Sequence, residues 1–216
     1  MFCLALPIRA FPQVYSFYWT NVEGGACTNV RNWSRETLPG IDGYTHFTSN
    51  AAYTVHFNHS VTNSFTWVTD GNVTFNLNQV FFKTDPEDGL HSEWAQGLRI
   101  GTDTSFTPSL VVTNGELFFG RFMEVGGSES TATLIGGEGA HITGRNNLYI
   151  RVNGTLIVTN GGYIQGGWSH ELEGTAVSIG EGSLFSGGNY LTVKDGGELI
   201  ARDGGTVNGV RRFRVM

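Results

Sequence analysis

A parallel β-helix, with an aromatic-rich segment capping its N-terminal end, is the fold that this 216-residue sequence predicts. Three observations predict it: a short phrase repeated at a period in the low twenties, a composition rich in β-formers, and a near absence of helix signals. A repeat of that period marks a solenoid, in which each turn buries its apolar face only against its neighbours.

The repeat comes first. The phrase occurs as Leu110-Val-Val-Thr-Asn-Gly115, Leu134-Ile-Gly-Gly-Glu-Gly139, Leu156-Ile-Val-Thr-Asn-Gly161, Val177-Ser-Ile-Gly-Glu-Gly182 and Leu199-Ile-Ala-Arg-Asp-Gly204, with starts 24, 22, 21 and 22 residues apart. Aligned on the glycine, its first column is apolar in every copy, as a stacked core position requires. The column before the glycine is Asn114, Glu138, Asn160, Glu181 and Asp203. Asn or Asp before Gly is turn chemistry, because the polar side chain bonds its own backbone and glycine accepts a positive φ. The chain turns apolar again at Leu117, Ile142, Ile164, Leu184 and Val207, so each copy reads strand, bend, strand. A second recurring piece alternates apolar and polar residues, at Leu98-Arg-Ile100, Met123-Glu-Val125, Leu148-Tyr-Ile150 and Leu191-Thr-Val193. That is the period of a half-buried strand. The match is loosest around Glu171-Leu172-Glu173.

Composition supports the same class. Glycine is abundant at 31 residues and charged residues make up 15%. No apolar run with helical spacing and caps stands out, while Val, Thr, Phe, Tyr and Trp are plentiful. A net charge of −6 argues against nucleic-acid binding, which needs a basic footprint. The one basic cluster, Arg211, Arg212 and Arg214, reads as a solvated terminus rather than a phosphate-binding tail. No stretch is long enough to span a membrane as a helix. The two cysteines, Cys3 and Cys27, have no metal-site spacing.

Along the chain, residues 1–10 read as a truncated secretory signal, with an ordinary first strand as the alternative. Residues 11–52 are aromatic and irregular and form the expected cap. The solenoid is expected over 53–216, with a polar insertion at 83–97 and clear repeats of about 22 residues from 98 to 210. The first short β patterns are Tyr53-Thr-Val-His-Phe57, Phe65-Thr-Trp-Val68 and Val73-Thr-Phe-Asn-Leu77.

The stretches Tyr18-Trp19-Thr20, Asn32-Trp33-Ser34, Leu38-Pro39-Gly40-Ile41-Asp42 and Ala51-Ala52-Tyr53-Thr54-Val55 resemble the opening module of secreted bacterial β-solenoid proteins of the autotransporter-passenger-like, or autotransporter-associated-repeat, group. The later Leu98-Arg-Ile-Gly101 and Leu156-Ile-Val-Thr-Asn-Gly161 phrases resemble that group's coils. The resemblance covers roughly residues 18–77 and 98–207. It implies a right-handed helix, a secreted or cell-surface location, and an adhesive or structural role, without a defined activity.

Candidate chemistry is sparse. His56 and His59 are three residues apart and on a strand would face opposite sides. No H-E-x-x-H, G-x-S-x-G or P-loop pattern occurs, and neither metal nor cofactor is implied. The acidic column Glu138, Glu181 and Asp203 is accounted for by turn formation. Asp103, Glu124 and Arg151 lie near strand ends in successive coils, where scattered surface charge is the simpler account. Two carboxylates and a basic residue converging in a groove would favour catalysis instead. An ice-binding array of threonines is interrupted in the Thr113 and Thr159 column by Gly137, Gly180 and Arg202. Exposed tryptophans could stack on sugar rings, and Trp94 and Trp168 are the candidate glycan contacts, whereas Trp19, Trp33 and Trp67 are expected to pack. Four N-x-S/T sequons, at Asn32, Asn58, Asn72 and Asn153, matter only in a glycosylating host. The expectation is therefore a non-catalytic stalk or adhesin-like scaffold, with surface glycans or other copies of the chain as partners. The alternative is a carbohydrate-binding or polysaccharide-degrading β-helix.

Overall fold

A computed structural model describes residues 14–85, 97–102, 104–208 and 211–216. The described residues open with β1 (Tyr15–Tyr18) and β2 (Gly25–Ala26), followed by a 3-10 turn at Val30–Asn32. Seven complete turns of three strands follow. The first two are β3 (Gly43–Phe47), β4 (Ala52–His56), β5 (Val61–Thr62), then β6 (Phe65–Val68), β7 (Asn72–Asn76), β8 (Phe81–Thr84). The next two are β9 (Gly97–Ile100), β10 (Ser109–Thr113), β11 (Gly115–Phe119), then β12 (Phe122–Val125), β13 (Ala132–Gly136), β14 (Ala140–Gly144). After these come β15 (Asn147–Ile150), β16 (Gly154–Thr159), β17 (Tyr163–Gln165), then β18 (Ser169–Leu172), β19 (Thr175–Ile179), β20 (Leu184–Ser186). The last turn is β21 (Tyr190–Val193), β22 (Glu198–Arg202), β23 (Thr206–Asn208), and β24 (Arg212–Val215) begins another.

Every strand pairs in parallel with its equivalents one turn before and after. The result is three sheets: nine strands β1-β3-β6-β9-β12-β15-β18-β21-β24, eight strands β2-β4-β7-β10-β13-β16-β19-β22, and seven strands β5-β8-β11-β14-β17-β20-β23. The chain is a parallel β-solenoid of about seven turns, as its repeat predicts. No described helix is long and apolar enough to cross a membrane.

The alternation along each strand builds the core. On the nine-stranded sheet, Leu98, Met123, Leu148, His170 and Leu191 form one inward column. Leu110, Leu134, Leu156, Ala176 and Leu199 form the inward column of the eight-stranded sheet. Leu117, Ile142, Ile164, Phe185 and Val207 do so on the third. The fourth phrase therefore departs from its glycine alignment by one residue. Ala176 and Phe185 point inward where Val177 and Leu184 are expected, and Val177 stands on the outer face. A slip of one residue moves a side chain to the opposite face of a strand. Here the extra residue is taken up at Gly180, whose φ of +86° lies in the left-handed region. The loose match at Glu171-Leu172-Glu173 also has a cause: β18 keeps register, but it carries His170 inward where its neighbours carry Leu148 and Leu191.

Residues 11–52 do more than close one end. From Val14 onward the described part contributes β1, β2 and β3 to the same sheets as the later turns, and Trp19 and Trp33 form an antiparallel bridge. No seven-stranded-sheet partner precedes β5 among the described residues, and Cys27, Trp33, Leu38 and Pro39 lie on that side instead. At the other terminus, β24 pairs with β21 as an ordered strand, so Arg212 and Arg214 belong to the sheet rather than to a frayed tail.

Candidate functional site

The outer side of the nine-stranded sheet concentrates the aromatic and charged side chains. Strand register makes one unbroken outward column of Tyr18, His46, Trp67, Arg99, Glu124, Tyr149, Glu171, Thr192 and Arg214. Beside it runs a second: Ser16, Tyr44, Phe65, Gly97, Phe122, Asn147, Ser169, Tyr190 and Arg212. Neighbouring residues in a column stand about 4.8 Å apart, the spacing of paired strands.

At the N-terminal end that spacing stacks rings. Tyr18 lies on His46 at 4.5 Å and His46 on Trp67 at 4.8 Å, and along β6 itself Phe65 stacks on Trp67 at 4.0 Å. Burial pushes the His46 pKa below its usual value. Trp67 is half-buried, so the packing expected of it is combined with an accessible edge on the outer face.

In the middle of the face the column becomes ionic. Glu124 accepts from Arg99 Nε at 2.9 Å on one oxygen and from Arg151 Nη2 at 2.9 Å on the other. Arg151 Nη1 lies 3.8 Å from Glu173 Oε1. Lys194 Nζ then bridges Glu171 at 2.6 Å and Glu173 at 2.9 Å. Its pKa is raised, first by the hydrogen bond to Glu171 and then by that to Glu173. The guanidinium planes are also held by rings, Arg99 over Phe122 at 5.2 Å and Arg151 over Tyr149 at 4.3 Å. Arg99, Glu124, Arg151 and Glu173 line a polar cleft of about 650 Å³, with Gly126, Gly127 and Ser128 on its rim.

The sequence-predicted residues are thus partly brought together. Glu124 and Arg151 form a direct ion pair, and Glu173 joins them on the far side of Arg151. Asp103 lies outside the described residues. Two carboxylates do converge on a basic residue in a groove, but the arginine stands between them, and both Glu124 oxygens already accept guanidinium hydrogens. Hydrolysis by a carboxylate pair needs one group to give a proton and the other to face the substrate across a gap of about 5–9.5 Å. The ladder instead neutralises its own charges.

Trp168 stands on the bend before β18. It is 55% exposed, and its ring lies 5.5 Å from that of Tyr190. Arg212 sits over the other ring at 5.8 Å. Trp168, Ser169, Tyr190, Thr192, Arg212 and Arg214 border a cleft of about 510 Å³. An exposed indole beside a second ring and hydroxyl and guanidinium donors is suited to a flat polar ligand with apolar C–H faces. Trp94 lies outside the described residues. Sequence reasoning did not single out Tyr18, Tyr44, Tyr149 and Tyr190, and it assigned Trp67 to packing. Their common face follows from strand register, and the only sequence signal is an aromatic at alternate positions of the nine-stranded-sheet segments.

The remaining candidates are structural. His56 and His59 belong to no group of three or more metal-binding side chains among the described residues. Cys27 is a buried free thiol whose pKa is pushed up to about 11 by burial, which makes it a poor nucleophile. Trp19 and Trp33 are buried and pack edge to face at 5.1 Å. No protein-family model, curated protein or solved structure matches this chain.

Proposed function

We propose that this chain is a non-catalytic, adhesin-like binding scaffold that holds an extended glycan along the outer face of its nine-stranded sheet. The observation that carries the reading is the pair of outward columns, with Tyr18, Tyr44 and Trp67 towards one end and Tyr149 and Tyr190 towards the other, where Trp168 on the bend before β18 lies beside Tyr190. Sugar rings present apolar C–H faces that bury area on aromatic rings, while hydroxyls bond to arginine and carboxylate groups between them. The self-neutralised ladder supports a ligand of low charge over a polyanion. A secreted or cell-surface location, and kinship with the autotransporter-passenger-like group, belong to the same proposal and rest on the resemblance of the opening module.

The test is a glycan array probed with the full chain. Trp67→Ala and Trp168→Ala should each weaken binding at least about tenfold, roughly 1.4 kcal/mol, without lowering thermal stability enough to unfold the protein. No glycan binding, or binding indifferent to both changes, refutes the proposal.

One observation favours a second reading, polysaccharide cleavage: Glu124 and Glu173 flank Arg151 in a polar cleft of about 650 Å³. Turnover of a polysaccharide that disappears in Glu124→Gln would replace the scaffold reading with that one.

A further inference from the structure

The eight-stranded sheet has an outer face unlike the other two. Its central outward column is Thr54, Thr74, Val111, Ile135, Ile157, Val177 and Ile200. On one side run Asn72, Ser109, Thr133, Thr155, Thr175 and Glu198. On the other, Asn76 pairs with Thr113, Thr159 with Ile179, and Ile179 in turn with Arg202. From β7 to β19 these columns hold no charged side chain. They present mainly β-branched and hydroxyl groups, half-buried against one another apart from the exposed Asn72 and the buried Val177, a surface with no internal partner.

We propose that this face is the contact between two copies of the chain, related by a two-fold axis parallel to the solenoid axis. Such an axis opposes each turn to the same turn of the partner and reverses the strand direction. The Val/Ile column then meets itself, and each flanking column meets the opposite flank. The only charges on the face test that arrangement. Glu198 and Arg202 lie on the same strand, symmetrically about Ile200. Four residues apart, about 13 Å along a strand, they are too distant to pair with each other. Neither makes an ion pair among the described residues. The two-fold places Glu198 opposite the partner's Arg202 and Arg202 opposite the partner's Glu198, which makes the face self-complementary.

The area is adequate. Seven strands at about 4.8 Å and five residues at about 3.3 Å give a face of roughly 34 by 17 Å. That is roughly 580 Å² per copy and 1,150 Å² in all, above the roughly 1,000 Å² that a specific interface needs. Two sheets packed face to face at about 10 Å would interdigitate the isoleucines as in a β-sandwich. The nine-stranded sheet stays uncovered on both copies.

The experiment is sedimentation equilibrium on the full chain up to about 100 μM. A dimer is expected, and Ile157→Lys, on the outer face, should shift it to monomer. Glu198→Arg and Arg202→Glu should each weaken dimerisation at least about tenfold, and the double reversal should restore it. A misfolded variant would not be rescued by a second charge change. A monomer throughout the range, a dimer indifferent to Ile157→Lys, or a double reversal no better than the single changes would each overturn the proposal.

Discussion

The first turns and the later turns bury their cores by different means. Around β3 to β8 the interior is aromatic: Phe47 lies 5.0 Å from Phe75 and 5.9 Å from Trp33, and Phe57, Phe75 and Phe82 pack edge to face at 5.2–5.3 Å. From β9 onward the interior is mainly a ladder of Leu, Ile, Val and Met at equivalent positions, interrupted by Phe119, His170, Ala176 and Phe185. The difference follows from geometry. Where three equal strands recur, one aliphatic side chain per position fills the same space each time. Where the seven-stranded sheet is only starting, with the two-residue β5, the space is irregular, and rings fill it with fewer side chains and directed edge-to-face contacts. The ladder is a periodic solution and the aromatic cluster a unique one.

That contrast is open to test by truncation. Phe47→Ala removes a fully buried ring at the centre of the cluster and should cost about 3–5 kcal/mol. Leu156→Ala, in the ladder, should cost about 2–5 kcal/mol, towards the lower part of that range if adjoining turns close over the gap. Urea unfolding of both variants measures the difference, and a clearly greater loss for Leu156→Ala would reverse the comparison.

A smaller effect is expected at the ladder's one buried imidazole. His170 is fully buried, packs on Phe185 at 5.6 Å, and neither ring nitrogen has a well-formed protein hydrogen bond. Burial pushes its pKa down to about 4, with a nearby Gly166 backbone group offsetting a little of the shift. The unfolded chain, near 6.5, binds a proton that the folded chain does not. Stability should therefore be complete above about pH 6.5 and decline by up to about 3 kcal/mol as pH falls towards 4. His170→Leu should abolish that decline without loss at pH 7, as read by urea midpoints across the pH range. An unchanged pH profile would mean that the imidazole is not excluded from water.

The smallest effects separate two adjacent glycines. Gly161 has a φ of +75° and open space around its Cα, so Gly161→Val should cost about 1–2 kcal/mol from backbone strain alone. At Gly162 an added Cβ would lie 2.4 Å from the carbonyl oxygen of Gly136, one turn below. Gly162→Ala should therefore cost more than Gly161→Val despite the smaller side chain. Thermal melts of the two variants settle the order, and the reverse order would place the bend one residue away.

These positions also show what the sequence makes legible. Copies of one phrase at a near-constant period expose a stacking axis, because turns of equal size need the same residue types in the same columns. The aromatic turns repeat no phrase, so their strands β1 to β3 are hidden among bends and rings. The shift at Ala176 was invisible because Val177 and Leu184 are as apolar as the residues that replace them inward, and only Gly180 marks the extra residue. Glu124 and Arg151 were legible as neighbours in successive coils. Their partners Arg99, Glu173 and Lys194 were not, because long side chains reach across turns in ways that spacing does not encode. Trp168 was legible from its two preceding glycines, whereas the sheet face that Trp67 shares with Tyr149 and Tyr190 emerges only from register.

The proposal sets glycan recognition on the outer columns of the nine-stranded sheet and leaves the repeated phrase an architectural role. Titration of a glycan selected on the array, against wild type, Trp67→Ala, Trp168→Ala and the turn variant Asn160→Gly, tests that division most directly. The account predicts at least about tenfold weaker binding for each tryptophan variant and unchanged affinity for Asn160→Gly. Affinity that follows Asn160 and ignores both tryptophans would contradict it.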